Sequence, residues 1–207
     1  MPQNHSRLLS IAATLALTGV LTACAQETPT ATPTLATQVS TSPSPAKAAL
    51  DVPTCPELRN AAVRGLIDPY YAFGDEGAPL TEGMYSDKDG LVLALQQPCA
   101  SGDLGSDIGA VTVGAIMNSV TGTTGRFWNV MLCTKATPRA KCMVHIAMND
   151  RDPIESISFT GNKMTLVYLT RPDAAGSAVA SVRRTAIYAA EGTVLKEQSH
   201  TDVPYTP

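Results

Sequence analysis

The sequence predicts a mainly β fold, an antiparallel meander that closes as a sandwich or a barrel-like structure after one short N-terminal helix and a disordered tether. Short apolar or alternating runs, separated by Gly, Pro, Asn and Asp, fill the second half of the chain. Helical periodicity is confined to one short segment. Four cysteines remain in this part of the chain, as in a disulfide-bonded domain.

The predicted strands are runs of five to twelve residues joined by turn residues. Gly161-Asn162, between two of the runs, is the strongest hairpin signal. The runs cover residues 91–95, 110–117, 126–133, 142–148, 154–159, 164–170, 179–190 and 193–197.

The short helix is predicted over residues 56–63. Pro56 suits the first turn of a helix, and Glu57 to Ala62 are compatible with helix.

Two of the predicted strands indicate how the core is built. In residues 126–133, Trp128, Val130 and Leu132 share one face, and the other face is also largely apolar, which predicts a central strand. In residues 142–148, alternation predicts a core face and an opposite face. The core face would carry Cys142, Val144, Ile146 and Met148, and the opposite face Met143, His145 and Ala147.

Residues 1–23 have the proportions of a secretory signal. Arg7 precedes an apolar stretch over residues 8–20, which is shorter than the roughly 20 residues that a transmembrane helix needs. The stretch is followed directly by Leu21-Thr22-Ala23-Cys24, which resembles the lipobox of bacterial lipoproteins. The resemblance implies cleavage before Cys24, lipid on its thiol and attachment to the extracytoplasmic side of the cell membrane.

The sequence predicts a tether over residues 24–49 and a single β-rich domain over residues 50–207. The tether is rich in Thr, Pro, Ser and Ala and carries too few apolar side chains to fold. Removal of residues 1–23 takes away one basic residue and no acidic one, which changes the formal charge from −3 to −4. This balance excludes nucleic acid as the expected partner.

The number of cysteines in the chain agrees with export of the protein from the cytoplasm. With Cys24 lipidated, Cys55, Cys99, Cys133 and Cys142 remain, and four cysteines allow three pairings. Cys133 and Cys142 flank a polar connection, so we favour their pairing at the base of a long hairpin, which leaves Cys55 with Cys99. A metal site is the alternative, but no C-x-x-C spacing occurs.

Two sites carry candidate chemistry. Asp103 and Asp107, in the Gly-rich stretch 101–107, are candidates for a cation site, against the alternative of an ordinary turn. His145, the only histidine within a predicted strand, is the candidate general base, but no G-x-S-x-G motif supplies a nucleophile. No catalytic set is complete, and no cofactor motif occurs.

Residues 58–61, 102–104, 122–125, 154–159 and 162–168 together resemble uncharacterised bacterial envelope proteins, many of which carry lipoprotein signals. In those proteins the acidic loop reads like D-x-D-G-D-G, whereas this chain keeps Asp103 and Asp107. The resemblance implies a class and a location, not an activity.

Three functional hypotheses follow. The first is a lipid-anchored, non-enzymatic module that binds an envelope protein or a small molecule. The second is a hydrolase of cell-wall or envelope material that uses His145, and the third is a calcium-stabilised structural module with Asp103 and Asp107 as ligands.

Overall fold

The computed structural model describes residues 49–68, 71–171 and 179–207. The predicted signal peptide, Cys24 and nearly all of the predicted tether lie outside the described residues. The part from Ala46 to Pro207 is one compact unit.

Eleven strands and one 3₁₀ helix, Pro56–Asn60, make up the regular structure of the described residues. The strands are β1 (Ala62–Asp68), β2 (Tyr71–Pro79), β3 (Met84–Ser86), β4 (Leu91–Asp103), β5 (Ala110–Val120), β6 (Phe127–Thr134), β7 (Lys141–Asp150), β8 (Ile154–Thr160), β9 (Lys163–Thr170), β10 (Val182–Glu191) and β11 (Val194–Pro204).

The strands form two sheets, which make a nearly closed, barrel-like sandwich. The large sheet has the order β2-β1-β7-β6-β5-β4-β3, and the small sheet has the order β11-β10-β9-β8. Strands β4 and β8 pack against each other and close one side of the sandwich. The mainly β class is therefore confirmed. One neighbouring pair, β1 and β7, is parallel, whereas the sequence predicted antiparallel pairing throughout.

The turn chemistry places the hairpins where the sequence predicted them. Gly161 and Asn162 connect β8 to β9, and Thr160 pairs with Lys163 across this turn. Gly161 has a φ of 59°, which glycine adopts at low cost. Residues 192–193 connect β10 to β11 in the same manner.

The N-terminal part of the domain differs from the prediction. The helix ends at Asn60 as a 3₁₀ helix, and Ala62 and Val63 belong to β1 instead. The adjoining residue, Ala61, is already extended, with a ψ of 164°. β1, β2 and β3 were not predicted. β4 and β11 are longer than the predicted runs, so that Asp103 and His200 both lie in strands.

Strand β6 is the middle strand of the large sheet, as predicted, and its two faces contribute to two separate cores. Between the sheets lies the inter-sheet core, built from Val111, Val113, Ala115, Val130, Leu132, Met164, Leu166, Tyr168, Ala186 and Tyr188, among others. On the other face of the large sheet lies the outer core, which includes Leu58, Leu80, Leu91, Leu93, Ile116, Met131, Cys133 and Cys142.

The predicted core face of β7 is wrong in one respect. Cys142 and Val144 pack in the outer core, whereas Ile146 and Met148 pack against the inter-sheet core. The pairing with β6 shifts between Val144 and Ile146, and this β-bulge transfers the rest of the strand to the other face.

Both disulfides have the pairing that the sequence favoured. Cys55 is bonded to Cys99, and Cys133 to Cys142. The first joins the 3₁₀ helix to β4, next to the buried Leu58 of the outer core. The second links neighbouring residues of β6 and β7. The N-terminal segment is therefore held on the outer face of the large sheet.

Candidate ligand-binding cleft

A cleft of about 210 Å³ opens at the end of the sandwich where β7 begins, and we call it the inter-sheet cleft. Its floor continues the inter-sheet core through Val111 and Leu132. The other lining residues are Arg64, Asp107, Ile108, Thr134, Lys141, Met143, His145 and Thr193. Two of the residues nominated from sequence, His145 and Asp107, thus line the same cleft.

Strand pairing places Arg64 and Met143 side by side. They are direct partners in the parallel pair of β1 and β7. The Arg64 stem passes close to Gly77, where an added Cβ would come within 2.8 Å of Arg64 Cγ. Met143 Sδ lies 3.0 Å from the position of a Cβ on Gly65, so both glycines make room for the cleft side chains.

His145 lies in β7 at the bulge and is exposed at the cleft wall. Partial burial by the surrounding protein lowers the pKa of its imidazole below the ordinary value. Its side chain makes no hydrogen bond to another described residue. A hydrolytic site would need a nucleophile and an orienting acid in contact with this ring. The domain cysteines are all in disulfides, so none of them supplies a thiolate.

The two candidate cation ligands have different surroundings. Asp103 ends β4, and its Oδ1 accepts a hydrogen bond from the Gly105 amide at 2.8 Å, as in an ordinary Asx turn. Asp107 lines the inter-sheet cleft, and its Oδ2 lies 3.8 Å from the position of a Cβ on Gly192. Among the residues that the structure describes, no group of three or more His, Cys, Asp and Glu side chains could hold a metal ion.

Two cations of the cleft have few counter-charges. Lys141 makes no ion pair with a described residue. Arg64 Nη1 is 3.9 Å from Asp75 Oδ1, but Asp75 is fully exposed to solvent, so this contact is weak. Arg64 Nε is buried and has no hydrogen-bond partner among the described residues. Arg64 and Lys141 therefore bring cationic N–H donors to the lining of the cleft.

Several other charged groups of the domain are held in structural contacts. Asp152, which is 1% exposed, accepts hydrogen bonds from Thr170 and Arg171 and anchors the connection between β7 and β8. Arg183 forms a bidentate pair with Glu155, and Arg184 forms one with Asp202.

A tyrosine network lies on the inner face of the small sheet. Tyr188 donates a hydrogen bond to Glu197, and burial raises the pKa of both Tyr188 and Tyr168. Their hydroxyls therefore remain protonated in the neutral pH range. Arg184, beside Tyr168, is already paired with Asp202. This network stabilises the sheet and presents no free base.

A second concavity, of about 340 Å³, lies beside the Cys55–Cys99 disulfide. Arg59 and Glu82 are its charged residues, and Arg59 Nη2 donates to the Glu82 carbonyl at 3.4 Å. Gln96, another lining residue, donates to the Ala94 carbonyl. The inter-sheet cleft combines the unpaired Lys141 and the weakly paired Arg64 with an apolar floor, and we take it as the candidate site.

Sequence reasoning did not nominate Arg64, Lys141 or Met143 as site residues. Arg64 lay next to the predicted helix, and Lys141 lay in the predicted polar connection. Two signals pointed to the site, the histidine within a strand and the acidic Gly-rich stretch 101–107, because His145 and Asp107 both line the cleft.

No protein-family model, curated protein or solved structure matches the chain. None of the helices within residues 49–68, 71–171 and 179–207 has the length and apolar character needed to cross a membrane.

Proposed function

We propose that this chain is a lipid-anchored envelope protein whose domain is a non-enzymatic module that binds a small ligand in the inter-sheet cleft. The observation that carries the proposal is the presence of Arg64 and Lys141 above an apolar floor, where Lys141 has no ion pair with a described residue and Arg64 has only the weak one with the exposed Asp75. Ligand sites commonly combine an apolar lining with a few polar groups that fix orientation.

The proposed anchor rests on the sequence. Leu21-Thr22-Ala23-Cys24 follows a short apolar stretch, and two or more acyl chains on Cys24 would hold the protein stably at a membrane. Residues 25–49 would space the domain from the lipid surface as a proline-rich tether. Two disulfides in the domain fit an oxidising compartment outside the cytoplasm.

Replacement of Cys24 by alanine is expected to abolish lipid attachment and to move the protein out of the detergent-extracted membrane fraction. Metabolic labelling with a palmitate analogue and membrane fractionation measure the two effects. Globomycin should cause the unprocessed form of the wild-type chain to accumulate. Cys99→Ala, which removes a cysteine from the domain, should remain labelled, and labelling of Cys24→Ala equal to wild type would contradict the anchor.

A small molecule is expected to co-purify with the native protein and to be lost from a cleft variant. The wild-type chain, Lys141→Gln and Lys163→Gln are extracted under native conditions, and the released compounds are compared by mass spectrometry. Lys163 lies at the exposed start of β9, so its substitution is matched in charge but outside the cleft. Identical compounds in all three preparations would contradict ligand binding in the cleft.

A further inference from the structure

We infer that the inter-sheet cleft selects a small organic anion with a single negative charge and a short apolar body, such as an aliphatic carboxylate. This inference rests on the proposed ligand-binding function and specifies the class of ligand.

The lining has an excess of one positive charge. Arg64 and Lys141 contribute two cations and Asp107 one anion, and His145 is neutral near pH 7 because burial lowers the pKa of its imidazole. Asp75 is near Arg64 but is fully exposed and does not line the cleft, so it is left out of this balance. One negative charge on the ligand balances the lining.

The cationic donors that line the cleft favour an oxygen acceptor on the ligand. Arg64 Nε is buried without a hydrogen-bond partner among the described residues, although the Arg64 side chain as a whole is 27% exposed. Because water does not reach Arg64 Nε, a ligand would meet the guanidinium at its terminal nitrogens, to which a carboxylate can form charge-assisted hydrogen bonds. The ammonium group of Lys141 can donate to the same ligand group.

The rest of the lining favours a ligand whose uncharged part is apolar and small. Val111 and Leu132 form a buried floor, and Ile108 adds a third aliphatic side chain. Met143 is 36% exposed, which leaves its flexible thioether free to cover a ligand. The cleft volume of about 210 Å³ is below the range of roughly 300–1,000 Å³ typical for drug-sized ligands. A body of a few carbon atoms fits this space.

Asp107 limits the ligand to one negative charge. Asp107 lines the cleft from the loop before β5. A second negative group on the ligand would be repelled by this carboxylate. Removing the charge of Asp107 should therefore strengthen the binding of a monoanion.

The experiment uses the full lipidated chain in phosphatidylcholine nanodiscs, labelled with methyl-13C methionine. Hexanoate, 1-hexanol, hexylammonium and acetate are titrated at low ionic strength. The methyl signal of Met143 reports occupancy of the cleft. Met84 on β3 is the internal control, because it is 50% exposed and lies outside the cleft.

Hexanoate is expected to shift the Met143 signal saturably and to bind at least about tenfold more tightly than hexanol, because only the carboxylate meets the charged donors. It should also bind at least about tenfold more tightly than acetate, which lacks the apolar body. Arg64→Gln and Lys141→Gln should each lower the affinity for hexanoate about fivefold or more, and Asp107→Asn should raise this affinity about twofold or more. Lys163→Gln should leave it unchanged.

Equal affinities for hexanoate and hexanol, or tighter binding of hexylammonium, would overturn the inference about charge but leave ligand binding in place. Equal affinities for hexanoate and acetate would overturn the inference that the ligand has an apolar body. If no probe shifts Met143 and no compound is released from the native protein, the proposed function fails as well. The compounds released from the wild-type chain separate the two natural sources, since a free acid and a carboxyl-bearing lipid differ in mass and in solvent partition.

Discussion

Replacing Cys55 and Cys99 together by alanine is expected to lower the free energy of unfolding by about 4 kcal/mol. The disulfide closes a long loop, with a sequence separation of 44, and the chain-entropy relation gives this magnitude for the constraint lost from the unfolded state. Urea unfolding of the full chain, followed by the fluorescence of its single tryptophan, Trp128, measures the change. Trp128 packs against the inter-sheet core and reports its loss.

The single variants are the control for this experiment. Cys55→Ala or Cys99→Ala alone already breaks the bond, so each single variant should lose nearly as much stability as the double variant. Thiol labelling of the unfolded single variants should show one free domain cysteine. Losses in the two single variants that add up to the loss in the double variant would indicate separate packing effects and contradict the effect of the crosslink.

The strands that the sequence predicted are those whose signals are local. β6 and the hairpin of β8 and β9 each combine an alternating or apolar run with a turn at its end, and both patterns depend on neighbours in the chain. The disulfide pairing could also be predicted, because Cys133 and Cys142 flank one connection and leave a single remaining pair.

The strands that were missed depend on distant partners. Gly65 and Gly77 interrupt the alternation of β1 and β2, and β1 is completed by parallel pairing with β7, far along the chain. In β4, Pro98 lacks an amide donor, and the pairing shifts between Leu95 and Cys99. β11 is an edge strand with mostly exposed residues, so its second half has the polar composition of a tail.

The candidate site could be predicted only in part for the same reason. His145 was visible because it is a titratable residue in an apolar run. Arg64 and Lys141 lie 77 positions apart, and the pairing of β1 with β7 brings their strands together. The bulge that separates Val144 from Ile146 in the pairing also has no signature in the alternation of residues 142–148. The cleft and the bulge both depend on how the strands pair in the folded domain.

Replacing Gly102 by alanine is expected to lower the free energy of unfolding by about 2–3 kcal/mol, the upper part of the range for overpacked cores. Gly102 is buried in β4, where this strand meets β8. An added Cβ would lie 2.3 Å from Cγ and Cδ1 of Phe159, which is closer than atoms can approach. Gly74→Ala is the matched control, because a Cβ there has nothing within 4 Å, and it should change stability little.

A double-mutant cycle identifies Phe159 as the cause. If the ring alone resists the new methyl group, Phe159→Leu should open space, and Gly102→Ala should then cost at least about 1 kcal/mol less than in the wild type. Urea unfolding of the wild type, both single variants and the double variant gives the coupling. The same loss in both backgrounds would show that the backbone of β4, rather than the Phe159 ring, requires glycine at this position. A large coupling would establish that the contact between β4 and β8 closes this side of the sandwich through one aromatic ring placed against bare backbone.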